Sequence, residues 1–137
     1  MHSGSRGLGS SVLAKARKDE PNPYILPNSP SFAPYIAHHD YAVRWAVANR
    51  DLIAHRIDNC LHPDAPSEGH ATARKVVDIT HNSVQQMSIQ QEGGDAKHVF
   101  IHRKGAAPAT TGVAPCAGSR GDFSWLLQPV GDGVQNG

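Results

Sequence analysis

A chain of 137 residues, 39% of them hydrophobic and with a mean hydropathy of −0.43, is one soluble domain's worth of polypeptide. It is long enough to bury roughly two thirds of its unfolded surface. No run approaches the ~20 apolar residues that span a bilayer, and a formal net charge of +1 excludes a global basic field, so any nucleic-acid contact must be local. Cys60 and Cys116 stand far apart without Cys-x-x-Cys spacing. That argues against a disulfide scaffold or a zinc ribbon and fits a reducing cytoplasm. The N-terminal MHSGSRGLGSSVL lacks a basic region followed by a long apolar stretch, so no signal peptide is expected.

The segment His2-Ser3-Gly4-Ser5-Arg6-Gly7-Leu8-Gly9 gathers three glycines and two serines around one arginine. Glycines let backbone N–H groups approach an anion, and Arg6 can grip a phosphate bidentately. The same composition also fits a tail without structure. A helix is expected to follow over Val12 to Lys18, capped by Ser10 or Ser11, which would set the glycine loop at a helix N-terminus. Five prolines between Asp19 and Pro34 then predict a loop.

The next helix is expected from about Ala33 to Leu61, with Ser31 as its cap and Pro34 in its first turn. Tyr41, Trp45, Ala48 and Leu52 recur at helical spacing, and Val43, Val47, Ile53 and Ile57 widen the stripe, so this helix is predicted to be well buried. Arg50 lies on its polar side, as a salt-bridged or solvated cation or as an RNA contact. His38, His39 and His55 read as surface or packing histidines. The loop from His62 to His70 carries no assignable chemistry.

Two β-branched runs follow, Lys75 to Ile79 and His98 to His102, each predicted as a strand ending in a polar cluster. The first delivers His81-Asn82, an imidazole and an amide, and the second delivers His102-Arg103-Lys104 before Gly105. That combination reads as a metal-plus-phosphate site. Gly93-Gly94-Asp95 marks a turn between them, and Gly105 to Gly112 is a small-residue connector. Gly118-Ser119-Arg120-Gly121 repeats the tetrapeptide Gly4-Ser5-Arg6-Gly7, with Ser124 to Leu127 as a strand beyond it and a frayed tail from Gly131 to Gly137.

Taken in order, HSGSRGLG, D-x-x-HN, HRKGA and GSRG-x-x-SW resemble the RtcB RNA ligases over essentially the whole chain, His2 to Val130. The HRKGAAPA and GSRGD-x-S forms are most similar to the bacterial branch associated with peptide chain release factor H. The resemblance implies an α+β (mixed α/β) fold with the long buried helix packed on β-sheet. It also implies an enzyme that uses GTP and two Mn²⁺ ions to join RNA ends bearing a 3′-phosphate or 2′,3′-cyclic phosphate to 5′-hydroxyl ends, in tRNA splicing or RNA repair. His2 and His81 would be ligands of one Mn²⁺, and imidazole suits that ion. Asn82 would contact the guanylate phosphate, while Ala117, Gly118, Ser119 and Arg120, with Ser124 beyond, would hold the guanine nucleotide. Ala117 and Arg120 replace the commoner Pro and Met there. Arg6, Arg103 and Lys104 would meet RNA or triphosphate oxygens.

The family's Asp-x-x-Cys, Gly-Asn-His-Phe and His-Gly-Ala-Gly segments do not occur in this sequence, and no histidine follows His102 to be guanylated. Residues 1–137 are therefore expected to be the central portion of a single RtcB-like catalytic domain, a fragment or one piece of a split ligase that works with complementary fragments. The chain alone is expected to be inactive, with no catalytic residue of its own. A nucleotide- or RNA-binding remnant without catalysis stands as the alternative. A metal-dependent phosphatase or nuclease using His2 and His81 ranks last, because no carboxylate cluster supports it.

Overall fold

A computed structural model describes residues 2–19, 24–64, 73–107 and 112–128. Expectations placed on Pro21, Pro23, the 65–70 part of the polar loop, residues 108–111 of the connector and the tail from Gly131 lie outside them. The chain is α+β, with two helices and two small antiparallel sheets. It divides into two compact units, Met1–Arg74 and Lys75–Gly137.

The first unit is a pair of helices, α1 (Gly7–Asp19) and α2 (Phe32–Leu61). Helix α1 begins earlier than expected. Arg6 takes φ +53° and the Leu8 N–H donates to Ser5 O at 3.2 Å, so the Gly-Ser-Arg-Gly turn runs directly into the helix. Ser10 and Ser11 consequently lie inside the helix rather than at its cap, and the Ser11 hydroxyl donates back to Leu8 O at 2.7 Å. Of the glycine loop only His2 to Arg6 precede the helix N-terminus, and Gly7 to Gly9 form its first turn. Helix α2 has the expected length, but Ser31 caps it only by position. Its backbone is already helical and its side chain makes no cap bond; its hydroxyl sits 3.1 Å from that of Ser29.

The expected burial of α2 is not found. Tyr41 is 54% exposed, Trp45 39% and Leu52 47%, while the buried residues are Ala42 and Ala46. At about 100° per residue, these alanines lie roughly a quarter-turn or more around the helix from the Tyr41–Leu52 stripe. They lie on the side of α2 that packs on α1, whose Ala16 is the other buried apolar residue among those described in the unit. Small side chains let the two helices approach, and the larger side chains point elsewhere. Helix α1 also spans only about 20 Å against about 45 Å for α2, and Ile57 and Leu61 near the end of α2 are exposed. No described helix is long and apolar enough to cross a membrane.

The second unit is built on a hairpin of β1 (Asn82–Gln90) and β2 (Ala96–Lys104), paired from Asn82↔Lys104 to Gln90↔Ala96. The turn falls where expected, with Gly93 at φ +73° and the Gly94 N–H donating to Gln91 O at 3.2 Å. The strand predicted over Lys75 to Ile79 does not form. Among the described residues that stretch joins no ladder, and the pairing begins after it, on the more polar Asn82–Gln90. A separate short hairpin joins β3 (Ala114–Cys116) and β4 (Trp125–Leu127) in register Ala114↔Leu127.

Candidate phosphate-binding site

The open end of the β1–β2 hairpin gathers polar clusters that lie far apart in the sequence, at His81-Asn82 and His102-Arg103-Lys104. Asn82 stands directly across from Lys104. The Gly105 N–H donates to Asn82 Oδ1 at 2.8 Å, and the Ala106 N–H donates to His81 O at 3.2 Å. Gly105 bends away from the strand with φ +70°, a conformation that costs glycine little. His81-Asn82 and Lys104-Gly105-Ala106 are thereby tied together. Asn82 Nδ2 and the Lys104 ammonium have no partner among the described residues, and both residues are exposed. Two donors, one of them charged, thus stand on residues paired across the ladder, the kind of groups that an anion accepts hydrogen bonds from.

Arg103 does not join them. Side chains alternate across a strand, so Arg103 falls on the other face, where its Nη1 donates to Gln85 Oε1 at 2.5 Å and its Nη2 approaches Met87 Sδ at 3.8 Å. The Arg-Lys dipeptide is split, with Lys104 beside Asn82 and Arg103 braced by Gln85.

In the first unit the N-terminal loop is anchored to α2. The Asn49 amide donates to Ser3 Oγ at 3.0 Å and to Gly4 O at 3.4 Å, and Arg50 Nη1 donates to Ser3 O at 3.0 Å. Arg50 is half-buried, with one guanidinium nitrogen turned to the N-terminal loop. These bonds also fix the backbone next to His2. Sequence reasoning passed over Asn49, whose position on a polar helix face carried no signal of its long-range partner. Arg6 is exposed at its positive φ. His38, His55 and His62 make local contacts within α2 or at its end, the closest being His38 Nδ1 to Pro34 O at 2.7 Å.

The loop between β3 and β4 carries Ala117, Gly118, Ser119, Arg120 and Ser124. The Gly118 N–H donates to Ser124 Oγ at 3.1 Å, and the Asp122 N–H donates to Ser119 O at 3.0 Å. Arg120 (φ +53°) and Gly121 (φ +92°) occupy the centre of that turn, as a type I′ turn requires. The two Gly-Ser-Arg-Gly segments share arginine at φ +53° and a serine carbonyl bonded three residues on, and they part at the last glycine, where Gly121 keeps positive φ and Gly7 enters α1. A Cβ on Gly118 would collide with the carbonyl oxygens of Asp122 and Phe123, so only glycine fits. Phe123 stands 86% exposed beside it.

The expected metal pair is divided between the units, His2 in the first and His81 in the second. Among the described residues no three His, Cys, Asp or Glu side chains gather as a metal would require. Both cysteines are free and exposed.

Comparison with known proteins decides the family. The family described as tRNA-splicing ligase RtcB matches residues 1–136. The chain belongs to the RtcB family. It is 39% identical over 130 residues, 95% of its length, to the RNA-splicing ligase RtcB2 of Escherichia coli. Those residues cover 31% of that relative, so the chain spans about a third of the length of the curated RtcB protein it matches. No solved structure matches it.

Proposed function

We propose that this chain forms the phosphate- and nucleotide-holding part of an RtcB-type RNA ligase. Such an enzyme joins RNA 3′-phosphate or 2′,3′-cyclic phosphate ends to 5′-hydroxyl ends with GTP and Mn²⁺. The observation that carries the reading is the hairpin end, where Asn82 and Lys104 face one another and His81 is tied to Ala106. Lys104 offsets phosphate charge and Asn82 donates to a phosphate oxygen. The closed loop of Ala117, Gly118, Ser119 and Arg120, pinned by Ser124, holds the guanine nucleotide, and Arg6 adds an exposed cation for RNA.

The donor set fits a phosphate. It fits Mn²⁺ only in part, because His2 and His81 are two ligands where a bound ion takes more; bound Mn²⁺ would supply Lewis acidity to the phosphates. The remaining ligands and the guanylated histidine would come from complementary RtcB segments. A second reading, nucleotide or RNA binding without joining, draws on the same donors, Asn82 and Lys104.

Calorimetric titration of GTP tests the proposal. Lys104→Ala and Asn82→Ala are each expected to weaken binding about tenfold, as the loss of one charge-assisted contact does. Arg103→Ala, on the opposite face, should change it little. Equal effects of Lys104→Ala and Arg103→Ala would remove the site from the hairpin end.

A further inference from the structure

A primary amide can offer a ligand either an acceptor oxygen or a donor NH₂, and the choice decides which charge it welcomes. At Asn82 that choice is already made. Its Oδ1 accepts the Gly105 N–H at 2.8 Å, and its Nδ2 has no partner among the described residues. We infer that Gly105 is a positioning residue whose backbone N–H occupies Asn82 Oδ1 and so leaves the hairpin end with donors only, Asn82 Nδ2 beside Lys104. The inference rests on the reading above that this end holds phosphate, and it adds what sets the polarity of the site. With the amide reversed, Oδ1 would face the phosphate and repel it.

The backbone of Gly105 makes this arrangement possible. Its N–H reaches Asn82 Oδ1 just after the last ladder pair Asn82↔Lys104, and its φ of +70° turns the chain beyond it so that the Ala106 N–H reaches His81 O at 3.2 Å. A Cβ at Gly105 would meet nothing within 4 Å. A substitution there acts through backbone conformation rather than through a clash. Asparagine tolerates positive φ and a β-branched residue does not, so Gly105→Asn should keep the turn and both bonds to His81 and Asn82, and Gly105→Val should disrupt the turn and loosen both.

The decisive variant is Asn82→Asp, which has the same shape, keeps an acceptor for the Gly105 N–H and turns the outward donor into a charged acceptor. Two readouts separate structure from binding: the exchange rate of the Gly105 amide proton by NMR, and affinity for GTP and for inorganic phosphate by calorimetry. Asn82→Asp is expected to keep slow exchange at Gly105 and to lose at least tenfold in affinity for both anions. Asn82→Ala and Gly105→Val should lose both properties, with Gly105→Asn restoring affinity relative to Gly105→Val. If the unaltered chain binds neither anion, the phosphate reading fails and this inference falls with it. If it binds both, but Asn82→Asp or Gly105→Val binds them equally well, the inference alone is overturned. Fast exchange at Gly105 in the unaltered chain would overturn it too.

Discussion

Arg50→Ala should release the N-terminal loop that carries His2. In the structure Arg50 Nη1 donates to Ser3 O at 3.0 Å from a half-buried position, and neighbouring Asn49 holds Ser3 Oγ and Gly4 O. A hydrogen bond from a charged donor contributes about 1.5–3 kcal/mol net. Partial exposure takes the lower end of that range, because water can replace the donor at Ser3 O. A loss of about 1.5 kcal/mol raises the open fraction of the loop roughly tenfold. The reporter is the Leu8 amide proton, which bonds Ser5 O at 3.2 Å and closes the Gly-Ser-Arg-Gly turn. Its hydrogen exchange should accelerate about tenfold in Arg50→Ala, with Asn49→Ala giving a smaller increase. The Gly105 amide, in the second unit, serves as the unaffected control. Unchanged Leu8 exchange in Arg50→Ala would refute the idea that α2 anchors the loop.

Three further outcomes follow from the geometry. Gly118→Ala should cost about 1–3 kcal/mol locally, because its Cβ would collide with the Asp122 and Phe123 carbonyls; faster exchange of the Asp122 amide would report the opened loop. In α2, Trp45→Lys and Leu52→Lys should each shift stability by no more than about 0.5 kcal/mol, whereas Ala46→Leu in the seam with α1 should cost about 1–3 kcal/mol. Thermal melts of the three variants compare them directly. His81→Ala should weaken the low Mn²⁺ affinity expected from two histidines, and calorimetry showing the same binding in the variant would remove His81 from the ligand set.

The polar clusters were easier to read from the sequence than the strands that carry them. Lys75-Val76-Val77-Asp78-Ile79 has the residues a strand prefers, yet it joins no ladder among the described residues. Asn82–Gln90 is mostly polar and pairs along its full length with Ala96–Lys104. Pairing outweighs propensity here, because a strand is stabilised by its neighbour across the ladder. The symmetric placement of both runs about Gly93-Gly94-Asp95 was the available signal. Helix α2 was legible from its periodicity, but periodicity identifies faces without saying which one meets a partner. The alanine side took α1 and the Tyr41–Leu52 stripe did not. The Ser10 or Ser11 cap was missed because it depended on Arg6 adopting positive φ, and few non-glycine residues do so. Arg103 and Lys104 look equivalent in sequence, and only strand alternation separates them.

A chimaera tests the central claim most directly. The 130 matched residues of this chain would replace their counterparts in the Escherichia coli RtcB2 relative, and joining of RNA 2′,3′-cyclic phosphate ends to 5′-hydroxyl ends would be measured with GTP and Mn²⁺. Joined product is expected, lost again when Lys104→Ala is introduced into the chimaera. A folded chimaera that binds GTP but joins no RNA would contradict that claim.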